Sequence, residues 1–109
     1  MSAITTHVLD TVLGKPGSAI RVTLEQRREG EWTRVNEGLT DSDGRCRELA
    51  SNAPSGTYRL TFATGKYLAD QGRSTIYPEI CITFELGGEA HYHLPLLLSD
   101  NSYTTYRGS

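Results

Sequence analysis

Two cysteines, Cys46 and Cys81, are all that the 109-residue chain carries, and it holds a single tryptophan, a single methionine and two phenylalanines. So few thiols exclude a disulfide framework, and their spacing matches no zinc-binding pattern. Both are expected as free thiols in a reducing compartment. The longest apolar stretch, "LPLLL", is far shorter than the roughly 20 residues that cross a bilayer. The opening "MSAITTHVLD" has neither the cationic nor the apolar region of a signal peptide, so a soluble cytoplasmic protein is expected. Charge of one sign is missing too. A formal net charge of −2 and a pI near 5.9 provide no basic field for nucleic acid and no acidic tail. With no internal repeat, low-complexity stretch or linker, residues 1–109 are expected to form one domain.

What the chain does contain is two-residue alternation. In "AIRVTLEQ", Ile20, Val22 and Leu24 share one face and Arg21, Thr23 and Glu25 the other. Tyr58, Leu60 and Phe62 alternate in the same way, as do Ile80, Ile82, Phe84 and Leu86. This is the pattern of half-buried antiparallel strands. Turn signals separate them: "LGKPG", "REGE", "DSDG", "APSG" and "LGGE". Strands so spaced imply a β-sandwich or barrel. One segment departs from the pattern. "TGKYLADQG" predicts a short helix, with Thr64 as N-cap and Gly72 closing its C-terminus.

The pleat also says where the histidines point. Ile4, Thr6 and Val8 form one face of the first strand, and Thr5, His7 and Leu9 the other. In "AHYHLPLLL", Ala90, Tyr92, Leu94, Leu96 and Leu98 form an apolar face, with His91, His93, Pro95 and Leu97 opposite. His7 and His93 therefore leave the core face and turn to solvent or to another subunit. A histidine on a strand is ordinarily a surface polar residue, and the sequence does not show that these meet. His91 and His93 share a face, so with His7 they offer three nitrogens for a zinc site; no carboxylate sits beside them to orient the rings.

"TDSDGRC" fails as a calcium loop, because Leu39 and Ala50 stand where the first and last ligands belong. As a tight turn it works, with Asp and Gly supplying the dihedrals. Arg45 then begins the next strand, either as a solvated arginine or as a planar donor to a carbonyl or anion.

Three segments, "THVLDTVLGKPG", "TDSDGR" and "HYHLPLLLSDNSYTTYRGS", resemble the transthyretin-related family and specifically its enzymatic branch, the 5-hydroxyisourate hydrolases. The similarity runs essentially end to end, and "YRGS" is its most specific part. The resemblance implies an all-β, transthyretin-like sandwich of two four-stranded sheets with one short helix. It implies a homotetramer whose sites lie between dimers, with 5-hydroxyisourate as the small-molecule substrate and no metal or organic cofactor. The catalytic set then falls on His7, Arg45, His93 and Ser109, with Tyr106 and Arg107 of the closing motif supporting substrate binding. Ser109 is expected to contribute its hydroxyl and its carboxylate. The implied reaction is hydrolytic opening of the six-membered ring to a ureidoimidazoline carboxylate. The alternative is a small-molecule carrier like the hormone-binding branch, which has lysine, glutamate and threonine where this chain has His7, Arg45 and His93.

Overall fold

Alternation resolves into two stacked sheets with the apolar faces between them. The computed structural model describes residues 1–108, with Glu48 described by its backbone alone. In chain order the elements are β1 (Ser2–Asp10), β2 (Lys15–Pro16), β3 (Arg21–Arg28), β4 (Glu31–Leu39), β5 (Arg45–Ala53), β6 (Gly56–Phe62), α1 (Thr64–Ala69), β7 (Ile80–Leu86), β8 (His91–Leu98) and β9 (Tyr103–Thr105). One sheet runs β4-β3-β6-β7, antiparallel throughout. The other runs β1-β8-β9, and both β5 and the two-residue β2 pair with β1. The transthyretin-like sandwich implied by the sequence is thus observed, with β2 as a short addition to the second sheet. Strands β1 and β8 pair in parallel, from Ala3 opposite His91 to Asp10 opposite Leu98.

The core holds the inward sets that the pleat assigns. Ile4 and Val8 from β1, Val22 and Leu24 from β3, Tyr58, Leu60 and Phe62 from β6, and Leu96 and Leu98 from β8 are all buried. Fully burying one such side chain contributes roughly 1.5–3 kcal/mol, so this interior is the main stabilising element. The β1 inner face also carries the polar Ser2, Thr6 and Asp10, and the Thr6 hydroxyl donates to the Leu94 carbonyl at 2.5 Å.

Two strands depart from alternation for a visible reason. β5 pairs with β1 through two irregularities, so Cys46, Leu49 and Ala53 turn inward at uneven intervals. β4 is an edge strand, largely exposed, and skips Val35 in its pairing with β3. Its register is set by the two-residue turn at Glu29 and Gly30, whose φ values of 52° and 80° give the positive-φ pair of a type I′ hairpin.

The helix forms where expected but starts differently. Ala63, not Thr64, is its N-cap; Thr64 is the first helical residue, with its buried hydroxyl unpartnered. At the other end Gly72 (φ 69°) donates to the Ala69 carbonyl and Arg73 to that of Leu68, each at 3.0 Å. That pair of bonds is a Schellman motif with Gly72 in its left-handed position. Arg73 then anchors the helix. Its guanidinium forks onto Asp10 at 2.6 and 3.1 Å and also reaches Asp100 at 2.6 Å. Tyr67 donates to Asp10 at 2.8 Å, and the Val12 and Leu13 amides complete the carboxylate's shell. The end of β1, the helix and the β8–β9 turn are thereby tied at one buried carboxylate.

Candidate functional site

The outer face of the β5-β1-β8 sheet collects the histidines and Arg45. His7 on β1 lies opposite Arg45 on β5, and Thr5, two residues before His7 on the same face, lies opposite His93 on β8. The period of the strand thus carries Arg45, His7, Thr5, His93 and His91 onto one surface.

The "DSDG" turn positions the β5 end of this surface. Asp41 accepts from the Asp43 and Arg45 amides at 2.9 Å each, and its own carbonyl accepts from Gly44 at 2.9 Å. The Arg45 amide, then that of Asp43, holds the Asp41 carboxyl below its ordinary range. Gly44 is demanded twice. Its φ is 79°, and a Cβ there would lie 2.3 Å from the Val8 carbonyl oxygen. That close approach lets the Gly44 carbonyl accept from the Val8 amide at 2.7 Å, seating the turn on β1. One consequence is chemical. His7 Nε2 lies 2.8 Å from the Asp43 carbonyl oxygen, and a carbonyl can only accept. Nε2 therefore carries a hydrogen, and in the neutral ring Nδ1 is the nitrogen with the lone pair.

His93 is held from two directions. Its Nδ1 lies 2.8 Å from the Thr5 hydroxyl, which also lies 2.8 Å from His91 Nε2. From the other side the chain returns over it: the Gly108 amide donates to the His93 carbonyl at 2.8 Å, and a Cβ on Gly108 would lie 2.8 Å from His93 Cδ2. Only glycine fits against that ring. Burial, followed by the charges of Arg45, His91 and His7, lowers the His93 pKa from its ordinary 6.5 and favours the neutral imidazole.

Thr5, Thr6, Arg45, Arg47, His91 and His93 line an open cavity of about 340 Å³. Among the described residues neither arginine side chain is in an ion pair, and no carboxylate lines the cavity. The site is cationic, with His93 favoured as the neutral imidazole in it, and suits a ligand rich in oxygen that gains negative charge. Another cavity of about 360 Å³ lies beside α1, but its lining of Lys66, Tyr67, Asp70 and neighbours contains no histidine. Chemistry, not volume, selects the first. Among the described residues no three His, Cys, Asp or Glu side chains are grouped to hold a metal ion.

Sequence reasoning singled out His7, Arg45 and His93, and the fold brings these three to one face. It missed Thr5 and Arg47 as site residues, although each lies two positions from a chosen one and so shares its face. The closing motif divides. Tyr106 is exposed, and the Arg107 guanidinium lies 4.6 Å from the Tyr92 ring centre in a cation–π contact, Tyr92 being on the inward face of β8. The expectation for Ser109 falls outside the described residues.

Known proteins resemble this chain in sequence and fold. The chain matches the HIUase/Transthyretin family over residues 4–108. It is 43% identical over 109 residues to the 5-hydroxyisourate hydrolase of Salmonella typhimurium, covering 97% of this chain and 80% of that protein. The solved 5-hydroxyisourate hydrolase of Klebsiella pneumoniae superposes with a TM-score of 0.89 at 37% identity, over the whole of both chains. Sea bream transthyretin, solved with thyroxine, gives a TM-score of 0.93 at 32% identity, over 97% of this chain and 94% of that one. With the sandwich and the matched length in agreement, this chain belongs to the HIUase/Transthyretin family.

Proposed function

We propose that the protein hydrolyses 5-hydroxyisourate, opening its six-membered ring at an amide-like C–N bond to give the ureidoimidazoline carboxylate. The observation that carries this reading is the face on which His7 and Arg45 are cross-strand neighbours and His93 sits beside them, in a cavity that no carboxylate lines among the described residues. A carrier needs no proton acceptor. Here His7 has its hydrogen committed to the Asp43 carbonyl and a lone pair on Nδ1.

Water is a poor nucleophile near neutrality, and a ring nitrogen is a poor leaving group, so the reaction needs a base and an acid. In this reading His7 Nδ1 takes one proton from water as its oxygen adds to the ring carbonyl carbon. The carbonyl electron pair moves onto oxygen, where the Arg45 guanidinium stabilises it. Collapse breaks the C–N bond, and the departing nitrogen takes the proton that His7 carries, which returns His7 to its neutral form, while His93 steadies that nitrogen by a hydrogen bond. The new carboxylic acid loses its proton to solvent, and the cationic Arg45 and Arg47 favour the resulting carboxylate. Tyr106, Arg107 and Ser109 are assigned to substrate binding, and Ser109 also to the catalytic set, on the resemblance of the closing motif. No metal takes part.

The assembly in this reading is a homotetramer in which a second dimer covers the outward histidine face. The exposed apolar residues Val12, Leu13, Tyr103 and Tyr106 are available to contacts between subunits. Two free cysteines, one of them exposed, suit a reducing cytoplasm. Among the described residues no helix is long and apolar enough to cross a membrane.

The test is turnover of 5-hydroxyisourate by wild type and by folded His93→Ala, each with and without exhaustive chelation. A general acid or base is worth about 10²–10⁴ in rate, and the variant should lose that much. Wild-type turnover by His93→Ala contradicts the site. Loss on chelation with recovery in Zn²⁺ contradicts the metal-free chemistry.

A further inference from the structure

The hydroxyl of Thr5 makes two contacts that cannot be alike. It lies 2.8 Å from His91 Nε2 and 2.8 Å from His93 Nδ1, the two rings being 6.2 Å apart. A threonine hydroxyl has one hydrogen and two lone pairs, so it donates to at most one of these nitrogens. Satisfying both contacts requires that it donate to one ring and accept from the other. The two histidines are thus coupled in their hydrogen placement.

Two arrangements satisfy the bridge. In one, Thr5 donates to His93 Nδ1 and accepts from His91 Nε2–H, which places the His93 hydrogen on Nε2. In the other, His93 carries Nδ1–H and His91 must offer a lone pair at Nε2. An imidazolium has hydrogens on both nitrogens and can only donate. His91 is exposed and solvent can serve its other nitrogen. The first arrangement therefore holds whether His91 is charged or neutral, and the second fails whenever His91 is charged. The surroundings agree with a neutral His93: burial and the charges of Arg45, His91 and His7 disfavour an imidazolium, Arg47 lines the same cavity, and among the described residues no carboxylate does.

We propose that Thr5 is a positioning residue that holds His93 in the tautomer with its hydrogen on Nε2, and that His91 completes the bridge by donating to Thr5. The inference deepens the hydrolytic reading above and rests on it for its catalytic meaning. It makes the two site histidines complementary. His7 offers a lone pair at Nδ1, fixed by a carbonyl, and His93 offers a hydrogen at Nε2, fixed by a hydroxyl. One is shaped to take water's proton and the other to donate to a ring oxygen or the departing nitrogen.

The experiment is ¹⁵N NMR of histidine-labelled protein near neutral pH, on wild type, Thr5→Val and Thr5→Ser, alongside kcat and KM. Wild-type His93 should show a protonated Nε2 and a hydrogen-bonded, unprotonated Nδ1. Thr5→Val keeps the shape and deletes the hydroxyl; His93 should become a tautomer mixture, with kcat lowered roughly 3- to 10-fold for one hydrogen bond. KM should move less. Thr5→Ser should restore both the tautomer and the rate. A wild-type His93 with its hydrogen on Nδ1, or an unchanged tautomer in Thr5→Val, overturns the proposal. So does a Thr5→Ser variant that restores neither. The NMR readout needs no substrate, so failure of the bridge and failure of the hydrolase reading are seen separately.

Discussion

Replacing Gly108 with alanine should disable the site without unfolding the protein. The added Cβ would sit 2.8 Å from His93 Cδ2 and 3.4 Å from Pro95 Cγ. Carbon atoms rest near 3.5–4.0 Å, so ring or backbone must retreat by roughly half an ångström or more. Cδ2 is bonded to Nε2, the nitrogen left for substrate, and a shift of the ring edge passes directly to it. Misplacement by about 1 Å can cost on the order of 10²-fold in rate, so Gly108→Ala should lower kcat roughly 10- to 100-fold. If the backbone yields instead, the amide bond to the His93 carbonyl at 2.8 Å is lost. That bond is worth about 1 kcal/mol, so Tm should fall by no more than about 5 °C. The assays are steady-state kinetics and thermal unfolding at one protein concentration. Gly87→Ala is the control, because its Cβ would meet only the Tyr92 hydroxyl oxygen at an ordinary 3.5 Å. Wild-type kcat in Gly108→Ala refutes the packing of the closing motif onto His93.

Two further outcomes follow from the electrostatics. Burial works against the Asp10 charge, but the hydrogen bonds from Arg73, the Leu13 amide and Tyr67 outweigh it and lower the pKa from 3.8 to about 2. A folded pKa below the unfolded one gives stability that is complete above pH 3.8 and lost as pH falls through about 2; it amounts to about 2 kcal/mol. Urea unfolding of wild type should lose that increment between those pH values, and Asp10→Asn should lack it; equal acid sensitivity of the two contradicts the network. At the site, Arg45 is one of the charges lowering the His93 pKa. An NMR titration should therefore place His93 below 6.5 in wild type and move it upward in Arg45→Gln; a downward or absent shift contradicts their proximity.

Much of this was legible because strand alternation is a local property. Ile4, Thr6 and Val8 inward with His7 outward, and Tyr92 and Leu94 inward with His93 outward, follow from the pleat alone. The "REGE" and "DSDG" turns follow from residues able to take positive φ, and the Schellman glycine from its place after the helix. The start of β5 at Arg45 was legible from the turn before it, but its inward residues were not, because its irregular pairing with β1 breaks the two-residue period. β4 was not either, since an exposed edge strand has no apolar face to alternate. Thr64 misled as a cap because a threonine before a helix is equally able to be its first residue. The Thr5 bridge depends on the parallel register of β1 against β8, which no local pattern contains. The functional residues themselves were read from the resemblance of three segments, and the fold then explains why those segments meet. "THVLD" provides β1, "TDSDGR" seats Arg45 opposite His7, and the closing stretch lays Gly108 against His93.

The central claim is that this histidine-bearing face performs hydrolysis, not carriage. The most direct measurement generates 5-hydroxyisourate in situ with urate oxidase and follows its ultraviolet decay with and without the protein. The account predicts decay faster than the spontaneous rate and proportional to protein concentration. Decay identical to the protein-free rate, with 5-hydroxyisourate or its products retained on the protein, would contradict it.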